Sequence, residues 1–475
     1  MPGAESDSPA PPGYRAIALI IATALFMEQL DITILATALP AMARDFGTSA
    51  PNLSLAMTSY MLSLAIFIPA SGVVADRFGT LTVFRLAIVV FTLGSALCSL
   101  AHDLTTIVAA RLLQGLGGAM MMPVGRLILL RAVDKKDMVA ATAWLLVPAL
   151  VGPIVGPPLG GFFVTYLDWR WVFYINLPIG LLGLIFAGRY IRNIRLPAEP
   201  GRRFDLFGMV LSGLALSTLF FGAEMASRAG EGRVALVLIG LGIVFGGLYL
   251  RHARRHPSPI LDMSLLKVET FRLSMLGGSM ARITQGAHPF LLPLMFQMAF
   301  GLSAAEAGTL ILATALGATT MKACAPRLLR RFGFRNSLTV NGIIASLSYG
   351  TCAFFTPDWP HGAVLAVLFL SGFSMSLQFT AYNTIAYDEI PPARMSSATS
   401  FYTTFQQLML SAGVCIAAAV LHVALAIGGR EDQTPGDFSA AFLVVAGLSL
   451  LATLWNRRFA PDAGSDISGH HIRDR

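Results

Sequence analysis

Two carboxylates, Glu28 and Asp31, stand inside the otherwise apolar run FMEQLDITILATALP. A charge in hydrocarbon costs several kcal/mol unless it is paired or hydrated, so each such group is a candidate for function. Three residues apart, the two share one face of a helix. The run RLLQGLGGAMMMP adds a cation, Arg111. Gly115 and Gly118 share its face, small residues that let a neighbouring helix come close. Depth joins the two runs: Asp31 lies nine residues before Pro40 at the end of its span, and Arg111 seven residues after the start of its own. A pair between them would favour the charged carboxylate, while desolvation opposes it. A carboxyl balanced in that way can load a proton on one side of a membrane and release it on the other. The alternative is a permanent ion pair that only fastens two helices. Either Asp31 or Glu28 could be the titrating group.

A second buried cation is expected in SMARITQGAHPFLLPLMFQ, where Arg282 falls near the middle of a span, with Gln285 three and His288 six residues further on. A planar guanidinium suits a carboxylate, which it can hold through two hydrogen bonds. Arg282 could tie to Glu28 on a neighbouring helix, or it could receive an anionic substrate. Gln114, Gln378, Tyr382, Asn383, Tyr402 and Gln406 are further polar candidates for the wall of a substrate cavity. Polar groups on membrane helices serve as interhelical glue just as often. Glu224 falls near the end of its span, where hydration is expected.

The elements that position these groups follow from composition. Of 475 residues, 55% are apolar and 13% charged, with a mean hydropathy of +0.67. A soluble domain carries roughly a quarter charged residues, so lipid is the solvent that resolves the excess. Each helical span needs about 20 apolar residues, and the period-2 alternation of a barrel is missing. The expected fold is therefore all-α and membrane-integral. Spans are placed at 15–40, 53–75, 83–101, 104–131, 138–166, 170–190, 205–225, 233–250, 271–299, 304–326, 336–355, 362–387, 397–425 and 437–456, about fourteen in all. The run after the polar first 13 residues is too long for a signal-peptide core and reads as a retained first span.

The net charge of +8 does not form a nucleic-acid stripe, because the basic residues fall in alternate loops. One set holds Arg77, Arg131, Lys135, Lys136, Arg195, Arg202, Arg203, Arg254, Arg255, Arg330, Arg331, Arg457 and Arg458, among others. The opposite set holds Arg44, Arg170, Arg228, Arg233 and Arg430. Positive loops stay in the cytoplasm, so both termini are expected there, with Trp169 and Trp171 as anchors at the outer interface. Arg77-Phe78-Gly79 recurs as Arg331-Phe332-Gly333, a faint repeat that points to two equivalent halves. The expected organisation is a six-helix bundle over 1–190, a linker region with two extra spans over 191–270, and a second six-helix bundle with a tail over 271–475.

Two segments carry motion rather than protons. In VGPIVGPPLGG, Gly152, Gly156 and Gly160 recur every fourth residue as a flat stripe, Gly161 follows, and Pro153, Pro157 and Pro158 remove backbone donors. That pattern suits a close helix seam and a pivot. In GVVADRFG, Gly72, Asp76, Arg77 and Gly79 form a turn where Asp76 could accept hydrogen bonds at a facing helix N-terminus and hold a gate shut. An ordinary capped turn is the alternative.

Taken together, LDITILATALP, GVVADRFG, RLLQGLGGA, GPIVGPPLGG and WRWVFYINLPIG, in this order and at these spans, resemble the major facilitator superfamily and its fourteen-span drug:proton antiporter branch. The resemblance covers nearly the whole chain. It implies two six-helix bundles with two inserted helices, Asp31 as the proton-coupling carboxylate, Arg111 as its partner, and Asp76 with Arg77 as a gate. It departs at Thr80, Leu81 and Thr82, where that family carries basic residues after the turn glycine.

The function expected is proton-coupled export of small amphipathic molecules or drugs across the cytoplasmic membrane by alternating access. A small organic acid or metal chelate held by Arg282 is an alternative cargo, and a membrane sensor without turnover is an alternative class. No G-x-x-x-x-G-K-[ST] phosphate loop and no H-E-x-x-H metal motif occurs, so no cofactor, no metal and no enzymatic chemistry is expected. Cys98, Cys324, Cys352 and Cys415 all lie in apolar runs and are read as buried free thiols. The partners are a small-molecule substrate, protons and the bilayer, with no nucleic acid.

Overall fold

A computed structural model describes residues 13–133, 137–194, 204–226, 231–430 and 433–470. Lys135, Lys136, Arg195, Arg202, Arg203 and Arg228 among the loop cations, and the terminal His471, lie outside the described residues. Helix is the only regular secondary structure among those described. This is what lipid requires, since a helix satisfies its own backbone. The first half comprises α1 (Tyr14–Phe46), α2 (Ser54–Phe67), α3 (Ser71–Phe78), α4 (Thr80–Ser99), α5 (Leu104–Ala132), α6 (Met138–Tyr166), α7 (Trp171–Tyr174) and α8 (Asn176–Tyr190). A hairpin of α9 (Leu206–Ala226) and α10 (Gly232–Ala253) follows. The second half contains α11 (Glu269–Leu294), α12 (Ala304–Thr351), α13 (His361–Ile385), α14 (Met395–Gly428), α15 (Pro435–Leu450) and α16 (Ala452–Asn456). Among the described residues, 11 helical segments are long and apolar enough to cross a membrane. Of the other expected spans, 138–166 falls on α6 and 271–299 on α11 with the turn Met295–Ala299 that continues it, while 304–326 lies within α12 and 336–355 runs from α12 into the turn Cys352–Phe354.

The faint sequence repeat has a structural counterpart. Gly79 joins α3 to α4 at φ 94° and ψ 141°, and Gly333 breaks α12 at φ 69° and ψ 170°. Both positions need a positive φ with extended ψ, which only glycine adopts without strain. Arg77 stacks on Phe78 at 5.6 Å, and Arg331 on Phe332 at 5.5 Å. A side chain from beyond the last helix of each half lies against each glycine: Asn193 in the first, His470 in the second. The two turns are equivalent parts of equivalent halves.

Small residues set the packing of α6. A Cβ on Gly152, Gly156 or Gly160 would press on Gln29, Thr33 or Thr37 of α1 respectively, so the two helices meet along matching four-residue stripes. Gly161 turns the other way, against the Ala304 carbonyl, and Gly308 meets the Pro157 carbonyl. Thus α6 is held between α1 of its own half and α12 of the other. The second contact between halves is α2 with α14. Hydrogen bonds among the described residues also join the halves: Gln297 Nε2 to the Thr37 carbonyl at 3.1 Å, the Ala305 N–H to Thr165 Oγ1 at 3.0 Å, and His422 Nε2 with Asn52 Oδ1 at 3.1 Å. All lie at the end opposite the basic loops.

The apolar core has the same asymmetry. One shared cluster at that opposite end takes Leu39 and Phe173 from the first half together with Phe290, Phe296 and Phe442 from the second. Towards the basic loops the first half has its own cluster around Ile21, Phe84 and Phe91. There the second half has separate ones around Phe334 and Phe459 and around Phe271 and Tyr402. The hairpin packs through α9 on α2 and α14. This corrects the expectation for Glu224, which is 1% exposed rather than hydrated and accepts a hydrogen bond from Ser54 Oγ at 3.1 Å.

Replacing Gly156 by Val drives methyl groups into Thr33 and is expected to cost about 1–3 kcal/mol of stability. Gly240→Val, on an exposed face with nothing within 4 Å, is the control. Thermal unfolding of both purified variants checks this: a lowered Tm for Gly156→Val alone supports the seam, and equal Tm values contradict it.

Candidate functional site

Arg111 reaches its place because its helix starts at a fixed point. Asp103 accepts the Thr106 N–H at 2.8 Å, and Thr106 answers the Asp103 N–H at 3.4 Å, a capping box that sets the register of α5. That backbone donor holds the exposed Asp103 carboxyl below the usual carboxylate range. Two turns further on, Arg111 projects into the first half with its side chain 1% exposed. Gly115 and Gly118 beside it allow close approach, since a Cβ on either would meet Ser63 or Tyr60 of α2.

Arg111 and Asp31 form a buried ion pair at 2.5 Å, each side chain 1% exposed. Asp31 accepts two further hydrogen bonds on its other oxygen, from Gln114 Nε2 at 2.8 Å and Asn176 Nδ2 at 3.1 Å. Arg111 Nε donates to the Ala56 carbonyl at 2.9 Å, its NH1 also donates to Gln114 Oε1 at 2.7 Å, and its guanidinium lies 4.3 Å over the Tyr60 ring. Asn176 continues to Ser95 Oγ at 3.0 Å, and Ser95 donates to the Phe173 carbonyl at 3.0 Å. One carboxylate therefore gathers groups from α1, α2, α4, α5 and α8. Its three donors satisfy the charged form and leave one of the carboxylate's roughly four acceptor positions free, on the oxygen that faces Arg111. Releasing Arg111 would loosen α5 from α1.

This set of motif residues, converged in space, can be compared with known proteins. The Major Facilitator Superfamily profile matches residues 21–414. The chain belongs to the major facilitator superfamily. It is 35% identical to HsrA of Haemophilus influenzae, a protein named for transport, over 93% of this chain and 95% of that one. It is 37% identical to MdtD of Escherichia coli, a protein named for multidrug resistance, over 90% of this chain and 92% of that one. Among solved structures, the POT family transporter PepTSo aligns with a TM-score of 0.66 at 15% identity, covering 97% of this chain and all of that one. A D-xylose–proton symporter aligns with a TM-score of 0.65 at 14% identity, covering 94% and 98%. The last two share the fold. As a superfamily member the chain is a membrane transporter with the two-half architecture.

The other expected site residues fall in different places. Gln114, expected in the cavity wall, is wholly buried and belongs to the Asp31 node. Asn176, quoted above only as part of a motif, is one of the three donors to Asp31. Glu28 is buried, but its Oε2 has no hydrogen-bond partner among the described residues, and no pair with Arg282 forms among them. Arg282 instead donates through NH2 to Tyr402 Oη at 2.5 Å and lies 4.6 Å over that ring. Its Nε and NH1 are buried without a partner among the described residues. Tyr382 donates to Asn456 Oδ1 at 2.6 Å, and Asn456 donates to the Leu338 carbonyl at 3.0 Å. Asn456 was not singled out in the sequence, since one Asn at the end of an apolar run carries no distinctive spacing.

Gln285 donates to the Met375 carbonyl at 3.3 Å and is half-buried. His288 meets Thr314 Oγ1 at 3.2 Å and packs on Tyr349. Gln378 is buried beside Gly342, Asn383 donates to the Phe379 carbonyl of its own helix at 2.6 Å, and Gln406 is half-buried on α14. The structure brings Arg282, Tyr382 and Tyr402 together and leaves the rest apart.

At the turn, Asp76 pairs with Arg131 in the last turn of α5 at 2.5 Å, within its own half. This corrects the expected partner, a facing helix N-terminus. Arg77, the other charged residue of the turn, stacks on Phe78. The missing basic residues have a local replacement. Asn193 Oδ1 accepts from the N–H groups of Leu81 at 3.1 Å and Thr82 at 3.4 Å, and its Nδ2 donates to Thr82 Oγ1 at 3.0 Å. Asn193 was missed because it lies more than a hundred residues from the turn that it caps.

Removing one partner of a buried pair leaves an uncompensated charge, so Arg111→Gln is expected to cost about 3–5 kcal/mol. The double variant Asp31→Asn with Arg111→Gln removes both charges and is expected to recover part of that loss. Thermal unfolding of the two proteins checks this, and a double variant less stable than Arg111→Gln would show that the ion pair is not what the node depends on.

Proposed function

We propose that this transporter exports small amphipathic molecules, drugs among them, across the cytoplasmic membrane in exchange for protons. The two bundles, 1–190 and 271–475, would rock about the α6–α12 and α2–α14 seams, with the 191–270 region as an insertion between them. The single observation that carries the reading is the Asp31 node. A carboxylate 1% exposed is tied to α5 through Arg111, so its protonation would be coupled to helix release. The similarity to MdtD, named for multidrug resistance, supports the cargo class. The excess of basic residues in one set of loops supports a cytoplasmic placement of both termini. The joined apolar core at the other end supports a state open towards the cytoplasm. Asp76 and Arg77 would take part in closing that side. The electrical part of the proton gradient alone supplies roughly 2.3 kcal/mol per charge per 100 mV.

A second reading of the cargo rests on Arg282. A guanidinium 2% exposed with Nε and NH1 unpartnered among the described residues suits a carboxylate or another planar anion. On that reading the substrate is a small organic acid or a metal chelate, and Tyr402 holds the guanidinium in place.

Everted membrane vesicles separate these possibilities. Energised vesicles with wild-type protein are expected to accumulate cationic dyes, and Asp31→Asn, matched for protein amount, is expected to lose proton-driven accumulation while still binding dye. Accumulation unchanged in Asp31→Asn contradicts the coupling assignment. With Arg282→Gln, loss of carboxylate transport and retained dye transport favours the second reading; retained transport of both sinks it.

A further inference from the structure

The α9–α10 hairpin brings together three side chains that the transport cycle above does not use. We propose that Asp205, His252 and His256 form a binding site for a divalent d-block cation, of the zinc class, at the basic end of this hairpin. One ligand atom from each of the three lies within 4.8 Å of the others, although Asp205 is far from the two histidines in sequence.

The three are held in position. Asp205 immediately precedes α9 and is buried. Its Oδ1 accepts the Gly208 N–H at 2.8 Å and lies 2.6 Å from His252 Nε2, while Oδ2 accepts the Ile260 N–H at 3.3 Å. His252 sits in the last turn of α10, and the His256 N–H bonds to the His252 carbonyl at 3.0 Å, which keeps the two imidazoles one turn apart. Their ring centroids are 5.2 Å apart with planes 33° apart, and the Phe207 ring packs edge-on to His252 at 5.3 Å. Backbone donors thus orient the carboxylate, and an aromatic ring steadies one imidazole, the kind of support that metal ligands need.

The donor set selects the cation. Two imidazoles with one carboxylate favour zinc, nickel or cobalt over magnesium or calcium, which prefer oxygen. With bonds of about 2.0–2.1 Å, tetrahedral ligand atoms sit roughly 3.3 Å from one another, so modest side-chain rotation closes the set. Three protein ligands leave a fourth position for water, as in exchangeable rather than closed structural sites. A bound cation would clamp the start of α9 and the end of α10 to the segment that follows. That segment is anchored in turn: Tyr249 Oη and Leu261 exchange hydrogen bonds at 2.9 Å, and Arg394, next to α14, pairs with Asp262 at 2.7 Å. Cation binding would therefore stiffen the link from the hairpin to the second half.

The competing account is a plain helix cap, in which the Asp205–His252 hydrogen bond is complete and His256 is a bystander. Titrating purified full-length protein with Zn2+ alone, followed by calorimetry, with Co2+ absorption as a second readout, distinguishes the two. His470→Ala and His471→Ala are present in every sample so that the tail cannot contribute. The expected result is one saturable event, weakened about tenfold or more by His256→Ala and by His252→Gln. The Tm of His256→Ala without metal should change little, because the Asp205 cap remains and only the exposed hydrogen bond from the Ser258 N–H to His256 Nδ1 at 3.3 Å is lost. Equal affinity in His256→Ala, or no saturable binding in the parent protein, overturns the proposal.

Discussion

Everything in the first half is arranged around a buried charge that cannot be left alone. A carboxylate in the membrane interior must be compensated, and the chain compensates Asp31 with one guanidinium and two amides drawn from α5 and α8. Because the compensation comes from several helices, one carboxylate ties α1, α5 and α8 together. Buried ion pairs are poor sources of stability compared with apolar packing. On the proposed coupling, the pair would have two states, closed with the carboxylate charged and open with it neutral. Tyr60 under the guanidinium and the Ala56 carbonyl at Nε would give Arg111 somewhere to stay when the pair opens.

On the proposed cycle, the seams would carry this local event to the other half. On α6 the glycine stripe faces α1, the helix that carries Asp31, while Gly161 and the Pro157 carbonyl face α12. Prolines in α6 remove backbone donors and soften the same helix. A displacement of α1 would therefore reach the other bundle across one helix. At the opposite end the halves share a core and, among the described residues, the hydrogen bonds of Gln297, Ala305 and His422, so on the proposed cycle that contact would have to break.

Much of this was legible in the sequence because lipid imposes simple rules. Apolar runs gave the helices, and membrane charges gave Asp31 and Arg111 as partners before any coordinates. The four-residue spacing of Gly152, Gly156 and Gly160 gave a close seam, and the Arg-Phe-Gly repeat gave two halves whose glycines prove to share an unusual backbone conformation. What stayed hidden were long-range polar partners. Asn176 on Asp31, Asn193 on the α3–α4 turn, Asn456 on Tyr382 and Asp205 beside His252 each join residues far apart in sequence. A single amide or carboxylate near a helix end has no periodicity to betray its partner. Arg282 and Glu28, which depth and charge would pair, do not meet among the described residues, because side-chain direction is fixed by helix rotation that hydropathy does not encode.

The most direct test is to count protons at the site itself. Purified protein in weakly buffered detergent solution is mixed with a transported cationic dye, and the protons released are measured against dye bound. The account predicts release from the wild type in step with binding, and no release from Asp31→Asn with binding retained. Equal release from both proteins would contradict the claim that Asp31 carries the coupled proton and would leave the node as a structural tie.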